Sequence, residues 1–524
     1  MPAGDTTVLT GGVVRTLDRA RPLAAVLVLA GERIATVLDD PADAPTHARR
    51  IDLEGACVVP GLVDAHVHFP SWALARREPR LFGCRSLEEA LERVRTAAAG
   101  VPRGGWLRGR GWRDELWSEK PTRQALDAVA PGVRIALRAH DGHSLWTSSA
   151  ALAAAGGDLR QPGGVVETDD AGEATGILRE QSAWHFYDTY AAAGRAETLD
   201  AMRAALPAAA AAGVTGVHDK DGARGAPELF AALRDAGELT LRVWQSVPAE
   251  RLAGGELAPQ LDDPMLRIGY VKAFMDGTLG SRTARLLDGS GVEITSSARL
   301  AELIRLAERG GFALAVHAIG DRANRDALDA FAAAATPGAR HRIEHAQCIA
   351  PEDVPRFAAL GVAASVQYTH ATSDRDLAER IWADRLDHAY PFRSLLTAGA
   401  RLAGGSDAPV EELDPLAGLR AAVLRTDSER PPWRPEEAIP ATAALESFTV
   451  TPAWLSFDEH RRGRLRAGFD ADLVVLDRDP LAGGTGSIAD ARVVATMVAG
   501  AWTHAPAWTA AGRAALRPPA PDRT

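Results

Sequence analysis

The 524-residue sequence is poor in cysteine, with only Cys57, Cys84 and Cys348. Three scattered cysteines exclude a disulfide framework and a thiolate metal cluster, and they fit a reducing compartment. No stretch reaches the roughly 18 apolar residues that a membrane span requires, and the first residues lack the basic and apolar regions of a signal peptide. We therefore expect a soluble cytoplasmic protein.

The sequence also lacks any block of basic residues. Its 59 lysines and arginines are outnumbered by 69 aspartates and glutamates, which gives a net charge of -10. Because a basic patch is the electrostatic signature of nucleic-acid binding, we expect no nucleic-acid partner. The expected partner is a small-molecule substrate, no membrane partner is expected, and a homodimer is kept open as the oligomeric state.

The length of the chain predicts one large domain and a smaller one, since 524 residues exceed what one compact core usually holds. Strand-rich, turn-punctuated segments lie near both ends, and neither end has enough apolar surface to be stable alone. We therefore predict that residues 1–60 and 456–524 pair into one composite β-sandwich domain. Residues 61–455 would form a large domain inserted between them.

The inserted region alternates short apolar strands with Ala- and Leu-rich helical stretches, which predicts a parallel sheet closed into a (β/α)8 TIM-like barrel. One strand too many is available, and VRIALRAHDGH is the best one to exclude. It lies in a stretch of about residues 70–205 that has no regular βα spacing and contains six of the twelve tryptophans. We interpret this stretch as an insertion after the first barrel strand that caps the active-site mouth, with the Trp rings as its own core.

Two histidines, His66 and His68, stand at alternate positions at the end of the apolar run VVPGLVDAHVH. A strand places alternate side chains on one face, so both imidazoles can reach one ion. Two unpaired imidazoles in a buried strand would be costly. The pair therefore favours metal ligation over a chance surface position.

Three further polar residues close apolar strands: His317 in FALAVHAIGD, His345 in HRIEHAQ and Asp407 in ARLAGGSDAPV. The C-terminal ends of the strands form the active-site face of such a barrel. Each residue alone fits a satisfied polar group in a core, but together with the first histidine pair they predict a metal centre. Nitrogen and oxygen ligands suit zinc, manganese, iron or cobalt, and zinc is the expected metal.

Lys272, in IGYVKAFMDG, is flanked by Val271 and Ala273 in an apolar strand. Burial disfavours the ammonium form, so its pKa is expected to fall, and a neutral lysine can react with CO2. The resulting carbamate is an anionic ligand that can bridge two cations. A lysine that extends out of the barrel, or that pairs with Asp276, fits the same spacing, and these alternatives stay open.

The motifs PGLVDAHVH, RAHDGHSLWTSSAAL, GYVKAFMDGTLGSRTA, VHAIGD, RIEHAQ, GSDAPV and GRLRAGFDADLVVLD run over almost the whole chain. With them the sequence resembles the amidohydrolase superfamily, in particular the branch of N-substituted formamide deformylases and related metal-dependent hydrolases. The resemblance implies a (β/α)8 barrel, a composite β domain and one or two divalent ions. The ligands that it implies are His66 and His68 on the first metal, Lys272 as a carbamylated bridge, His317 and His345 on the second metal, and Asp407 as ligand and proton shuttle.

The expected reaction is hydrolysis of an amide such as an N-formyl or N-acyl group on an amine. A metal lowers the pKa of its bound water and polarises the carbonyl, while Asp407 takes the proton of the water and passes it to the leaving amine. Contacts to substrate are predicted for His143 and Trp146 in DGHSLW and for Arg282 in GTLGSRTA. The alternatives are a solvent-facing position for the first two and pairing with Asp276 for Arg282.

Three other functions compete with this hypothesis. Deaminases of the same superfamily, as the resemblance implies, lack the strand-four lysine and carry a His-X-X-Glu pattern, whereas His317 is followed by Ala-Ile-Gly-Asp. A phosphoester hydrolase stays open because the same metals can activate water against phosphorus. A non-catalytic barrel scaffold is disfavoured because all six candidate ligands are present.

Overall fold

The computed structural model describes residues 6–113, 117–157, 159–254, 259–483 and 485–505. The chain divides into two compact units. The first unit comprises Met1–Phe69, Arg203–Leu279 and Ala284–Thr524, and the second comprises Pro70–Met202 and Gly280–Thr283.

The first unit begins with short strands that are rich in Val, Leu and Ile, the residue types that fit a half-buried pleated surface. These strands are β1 (Thr6–Thr10), β2 (Val13–Asp18), β3 (Arg21–Ala24), β4 (Val26–Ala30), β5 (Arg33–Leu38), β6 (Arg49–Asp52) and β7 (Cys57–Pro60). Four of them form one sheet in the order β5-β4-β1-β6, and the other three join a second sheet described below. The strand β8 (Leu62–Val67) follows directly and opens the barrel.

The second unit is built on a five-stranded sheet with the order β12-β13-β11-β10-β9, whose strands are β9 (Trp106–Trp112), β10 (Arg134–Ala139), β11 (Ser144–Thr147), β12 (Gly164–Thr168) and β13 (Ala174–Glu180). The helices along this part of the chain are α1 (Phe69–Ala75), α2 (Leu87–Ala98), α3 (Arg123–Val129), α4 (Ser149–Ala155), α5 (Gln181–Phe186) and α6 (Arg195–Ala211). The segment VRIALRAHDGH supplies β10, which confirms that it lies outside the barrel.

Three tryptophans form the centre of this second unit, as the aromatic-rich composition predicts. Trp146 is fully buried, and its ring centroid lies 6.3 Å from that of Trp112 and 6.0 Å from that of Trp117. Each indole N–H donates to a backbone carbonyl, that of Trp146 to Thr122 at 2.9 Å. The rings therefore supply both apolar area and satisfied polar groups to one core.

The barrel consists of eight parallel strands paired in chain order, as predicted. After β8 its strands are β14 (Val214–Asp219), β15 (Arg242–Pro248), β16 (Leu266–Phe274), β17 (Ala313–Ala318), β18 (Arg342–His345), β19 (Ala363–Val366) and β20 (Leu402–Gly404). Nearly every residue of these strands is buried, as expected for parallel strands that are covered on both faces. The first and last strands meet through a parallel bridge between Val67 and Ala408, where the N–H of Asp407 also donates to the carbonyl of His66 at 2.7 Å.

Helices of the first unit follow the barrel strands, and several begin with a side-chain cap. The Ser296 hydroxyl, for example, accepts a hydrogen bond from the N–H of Arg299 and so satisfies one free donor of the first turn. These helices are α7 (Ala226–Asp235), α8 (Ser297–Arg309), α9 (Asp321–Ala334), α10 (Val354–Leu360), α11 (Tyr368–Ser373), α12 (Arg375–Ile381), α13 (Phe392–Thr397), α14 (Pro415–Leu424), α15 (Ala441–Ser447), α16 (Val450–Leu455) and α17 (Thr485–Asp490).

The two ends of the chain share a six-stranded sheet, which confirms the composite β domain. Its C-terminal strands are β21 (Leu473–Leu476), β22 (Val493–Val498) and β23 (Ala501–His504), and the order is β23-β22-β21-β7-β2-β3. Strand β7 therefore pairs with β2 on one side and with β21 on the other. Arg242, the first residue of β15, ties this sheet to the barrel through two hydrogen bonds to Asp472, at 2.5 and 2.9 Å.

The three cysteines are buried and form no disulfide, as the sequence indicates. Within the described ranges, no helix combines the length and the apolar character needed to cross a bilayer.

Candidate metal centre

The six predicted ligands all lie toward the C-terminal ends of barrel strands of the first unit. They are His66 and His68 at the end of β8, Lys272 in β16, His317 in β17, His345 at the last position of β18, and Asp407 just after β20. The side chains of His66, His317, His345 and Asp407 are buried, which removes them from bulk water. The barrel thus brings together residues that are up to 341 positions apart in sequence.

The carboxylate of Asp407 is the centre of this cluster. Its Oδ1 lies 3.2 Å from Nε2 of His66 and 3.4 Å from Nε2 of His68. The three residues offer ligand atoms that all lie within 4.8 Å of one another. Two imidazole nitrogens and a carboxylate oxygen at this spacing can share one divalent cation.

Two further carboxylates fix the orientation of the first two imidazoles. Nδ1 of His66 lies 2.7 Å from Oε2 of Glu344, and Nδ1 of His68 lies 2.7 Å from Oδ1 of Asp221. An ionised carboxylate only accepts hydrogen bonds, so each Nδ1 carries a proton, and a divalent cation between the two Nε2 atoms and Asp407 would take the Nε2 lone pairs. Carboxylates that hold histidines in this way are a recurrent feature of metal sites.

Glu344 is itself held by two buried basic side chains, Lys220 and Arg342. Its Oε1 lies 2.8 Å from Nζ of Lys220 and 2.9 Å from Nε of Arg342, and its side chain has no exposed area. Burial alone would raise the pKa of Glu344, but the adjacent Lys220 and Arg342 hold it well below its usual range. Glu344 is therefore ionised and available to accept the proton of His66.

The rings of His317 and His345 lie side by side, with centroids 4.5 Å apart. Burial lowers the pKa of His345 well below its usual value, so its ring is neutral and able to ligate. Within the described residues, Nδ1 of His345 is buried without a hydrogen-bond partner. Nε2 of His317, in contrast, lies 3.1 Å from the carbonyl oxygen of Gly277.

A second set of ligand atoms includes a histidine that the sequence patterns did not identify. The groups of His345, His370 and Asp407 also lie within 4.8 Å of one another, whereas His317 belongs to neither set. His370 lies on α11, directly after barrel strand β19, and its Nε2 is 3.9 Å from Oδ2 of Asp407. The structure thus brings His345 together with His370 and Asp407 as well as with the ring of His317.

Lys272 is buried, and burial lowers its pKa to about 8. Its Nζ lies 4.7 Å from the ring centroid of Phe274. The alternative in which Lys272 extends out of the barrel is therefore wrong. Asp276 accepts hydrogen bonds from the backbone N–H groups of Ile319 and Gly320. It therefore stabilises the loop that follows β17.

The backbone at two site residues adopts the left-handed conformation that L-residues rarely occupy. The φ angles are +74° at His345 and +58° at Asp407. Strained residues of this kind concentrate at functional sites, where the surrounding structure holds them. The backbone after β20 also passes close to the backbone of His66. Only glycine fits at position 405, because a Cβ there would lie 2.5 Å from the backbone nitrogen of His66.

The predicted substrate contacts all belong to the second unit, and they differ in exposure. Trp146 is fully buried among other Trp rings, a position typical of core packing, and its contact with a substrate stays a prediction. Nδ1 of His143 lies 2.8 Å from Oε2 of Glu180, and its ring meets that of Trp184 edge to face. Arg282 is exposed and has a φ of +58°. For both His143 and Arg282, contact with a substrate stays a prediction.

The arrangement fits one or two divalent cations on chemical grounds. The cluster combines imidazoles, an ionised carboxylate and outer carboxylates that accept hydrogen bonds from Nδ1 of His66 and His68. Within the described residues, the buried nitrogens Nδ1 of His345 and Nε2 of His370 have no hydrogen-bond partner, which is costly unless another group occupies the space. Bound cations or substrate atoms would supply that partner.

Comparisons with known proteins agree with this geometry. A model of the amidohydrolase family matches residues 49–504. The YtcJ protein of Bacillus subtilis is 32% identical over 82% of this chain and 86% of its own length, and the N-substituted formamide deformylase of Arthrobacter pascens is 29% identical over 93% and 96%. Among solved structures, an uncharacterized metal-dependent hydrolase from Pyrococcus furiosus is 28% identical with a TM-score of 0.75, over 91% of this chain and 100% of that chain.

Proposed function

The chain belongs to the amidohydrolase family of metal-dependent hydrolases, and on that premise we propose that it cleaves a carbon–nitrogen bond other than a peptide bond. The substrate class is an N-formyl or N-acyl amine. One amide and one water give one carboxylic acid and one amine. The printed name of the Arthrobacter pascens relative, a deformylase of N-substituted formamides, supports this class.

The observation that carries the proposal is the position of Asp407 between the two oriented imidazoles. His66, His68 and Asp407 would hold one cation, and His345 would belong to a second, with zinc as the metal that suits these ligands. A bound divalent cation there activates a water molecule and polarises the carbonyl oxygen of the substrate.

Asp407 is suited to move the proton. Burial would raise its pKa, but the adjacent imidazoles of His66, His68 and His345 hold that pKa well below the usual range. The ionised carboxylate can accept the proton of the attacking water and then donate it to the leaving nitrogen. One carboxylate thus serves as base in the first half of the reaction and as acid in the second.

We further propose that Lys272 is carbamylated and that the carbamate is a metal ligand. Its pKa of about 8 leaves a fraction of the amine neutral near physiological pH, and a neutral amine adds to CO2 to give a carbamate and a proton. The negative charge would replace a buried ammonium beside several imidazoles. A 13C NMR signal of a carbamate after exposure to 13CO2, absent in Lys272→Ala, is the direct test.

The first experiment measures metal by elemental analysis of protein purified without chelators, together with turnover of a substrate panel. The panel holds N-alkyl formamides, 4-nitroformanilide, a phosphotriester and an aminopurine, so that amide hydrolysis, phosphoester hydrolysis and deamination are separated. We expect up to two metal equivalents and turnover of the formyl amides alone. Turnover of the phosphotriester or the aminopurine alone would overturn the proposed bond, and a chain that binds no zinc or manganese would overturn the metal mechanism.

Asp407→Asn tests the proton transfer separately from folding. The amide keeps the size of the side chain and one oxygen ligand, so most of the metal should stay bound while kcat falls by about 10²–10⁴-fold. Asp472→Asn is the matched control and should keep its kcat, because Asp472 pairs with Arg242 at the first residue of β15 and contacts none of the candidate ligands. Unchanged turnover in Asp407→Asn would contradict the proposed role of Asp407 in proton transfer.

A further inference from the structure

Phe274 is the last residue of barrel strand β16, and its ring lies beside two of the candidate ligands. The ring centroid is 5.4 Å from that of His317 and 4.7 Å from Nζ of Lys272. The strand register explains this position. Phe274 and His317 are partners in the pair of β16 and β17, and Lys272 precedes Phe274 by two residues on the same face of β16. A substrate bound at this side of the cluster would therefore lie next to the ring.

The ring is exposed, although the ligands beside it are buried. Phe274 is 39% exposed, whereas Lys272 is 7% and His317 is 4% exposed. This is the reverse of the usual distribution, in which aromatic rings are buried and charged groups face water. An apolar group that covers the ring would remove its remaining apolar surface from water. The exposed ring thus fits a ligand that carries an apolar group next to the part that reaches the cluster.

The loop after β16 continues this apolar character. Nine large apolar side chains are exposed in the part of the chain that the structure describes, and four of them belong to residues 274–294. Besides Phe274 they are Leu287, Val292 and Ile294. Exposed apolar side chains are normal when they are scattered singly, but a concentration of them is typical of ligand-binding grooves and interfaces.

Hydrogen bonds of its backbone fix this loop at the active-site end of the barrel. The N–H of Ile294 donates to the carbonyl of Met275, directly after β16, at 2.8 Å. The N–H of Leu287 donates to Oδ1 of Asp321 at 2.8 Å, at the start of the helix α9 that follows β17. The apolar loop is thus held beside the ends of β16 and β17.

We propose that Phe274 and the loop 287–294 form an apolar subsite for the substituent on the substrate nitrogen. The proposal rests on the amide hydrolysis inferred above and specifies the substrate further. In an N-formyl amine the acyl carbon carries only hydrogen, so an apolar group that reaches Phe274 must be attached to the nitrogen. The favoured substrates are therefore formamides of longer apolar amines rather than the formamide of methylamine.

The size of the expected preference follows from the burial of methylene groups. Each buried methylene contributes roughly fourfold in affinity, so a butyl group can gain up to about 60-fold over a methyl group. Truncation of Phe274 to Ala removes most of the apolar surface that the substituent would contact. Phe274 is therefore a substrate-binding residue that determines specificity.

The first test compares N-butylformamide with N-methylformamide. In the wild type we expect kcat/KM to be about 10–60-fold higher for the butyl compound, mainly through a lower KM. This ratio should fall to within about threefold in Phe274→Ala, with unchanged zinc content, whereas Phe274→Leu retains apolar surface and should keep most of the ratio. An undiminished ratio in Phe274→Ala would overturn the proposal.

Phe457→Ala is the matched control. Phe457 is 37% exposed, nearly as much as Phe274, and its ring also lies against a basic side chain, with Cζ of Arg340 at 4.1 Å from the centroid. Arg340 precedes β18, so this ring is at the start of a barrel strand and Phe274 is at the end of one. The ratio of the two formamides should stay at its wild-type value in Phe457→Ala, and an equal fall in both variants would overturn the proposal.

A second measurement does not depend on turnover. N-Hydroxyformamides bind divalent cations through two oxygen atoms and carry their substituent on the nitrogen, so the N-methyl and N-butyl compounds differ only at the proposed subsite. Their Kd values for the zinc-loaded protein are measured by isothermal titration calorimetry. We expect the butyl compound to bind about 10–60-fold more tightly than the methyl compound in the wild type, and within about threefold of it in Phe274→Ala. Equal Kd values in the wild type, or an undiminished ratio in Phe274→Ala, would contradict the subsite.

The two measurements separate this proposal from the proposed function. A preference for the N-butyl hydroxyformamide that depends on Phe274, without turnover of any formamide, would support the subsite and refute amide hydrolysis. Turnover of both formamides at equal kcat/KM would support amide hydrolysis and refute the subsite.

Discussion

Glu344→Gln is the substitution that best separates metal binding from folding. Glu344 accepts from Lys220 and Arg342 on Oε1 and from Nδ1 of His66 on Oε2. In glutamine the amide oxygen stays toward Lys220 and Arg342, because both groups donate hydrogen bonds and the NH2 group cannot accept them. The NH2 group then faces Nδ1 of His66.

The new amide donor reverses the tautomer of His66. Nδ1 becomes the acceptor, the proton moves to Nε2, and the lone pair that faces Asp407 is lost. Loss of a partner that orients a ligating histidine lowers metal affinity by about 10–100-fold, equal to about 1.4–2.8 kcal/mol. The variant also leaves Lys220 and Arg342 without a buried carboxylate, which costs about 3–5 kcal/mol of folding stability.

The assay is a zinc titration against a competing chromogenic chelator, with urea unfolding measured in parallel. Glu437→Gln is the control, because Glu437 is also buried and accepts from the backbone and hydroxyl of Ser394, at 3.0 and 2.6 Å, outside the metal cluster. The control should lose stability without a change in the zinc Kd. Wild-type zinc affinity in folded Glu344→Gln would refute the claim that Glu344 sets the tautomer of His66.

Two further outcomes follow from the same contacts. Asp221→Asn should weaken zinc binding by about 10–100-fold through His68, measured by the same titration; an unchanged Kd would remove Asp221 from the site. Trp146→Ala should destabilise the second unit by about 3–5 kcal/mol, measured by urea unfolding with near-UV circular dichroism, and a loss below about 1 kcal/mol would contradict its place in the core.

The barrel and the first histidine pair were predictable because each depends on a local pattern. Eight apolar strands alternate with helical stretches, and the His-X-His pair lies where β8 ends, with His66 in the strand and His68 directly after it. The composite sheet was predictable for a different reason. Each end of the chain has too few strands and too little apolar surface to form a stable domain alone. Pairing of the two ends was therefore the expected way to bury their apolar faces.

Glu344 escaped prediction because strand alternation fails at the end of β18. Residues 344 and 345 are adjacent, and in a regular strand only one of them would face the interior. The positive φ of +74° at His345 turns the chain, so Glu344 contacts His66 while His345 also lies at the cluster. A strained backbone angle of this kind leaves no periodic trace in a sequence.

His370 was missed because it lies on a helix after the strand rather than on the strand itself. Its neighbours in sequence, Thr369 and Ala371, give no signal of a site, and the side chains near its ring, Gln347 and Asp407, come from other connections. Trp146 was assigned to substrate because it follows His143 closely in sequence. Its complete burial depends on packing with Trp112 and Trp117, which sequence spacing does not report.

The central position of β7 in the six-stranded sheet has a consequence for biosynthesis. Pro60 pairs with Leu473, so more than 400 residues must be translated after β7 before its second neighbour exists. At about 5–20 residues per second, this interval lasts roughly 20–80 s. During that time β7 has an unpaired edge, the kind of surface that aggregates. Ribosome-associated chaperones would therefore protect the nascent chain longest at its first 60 residues, well after the barrel strands have emerged.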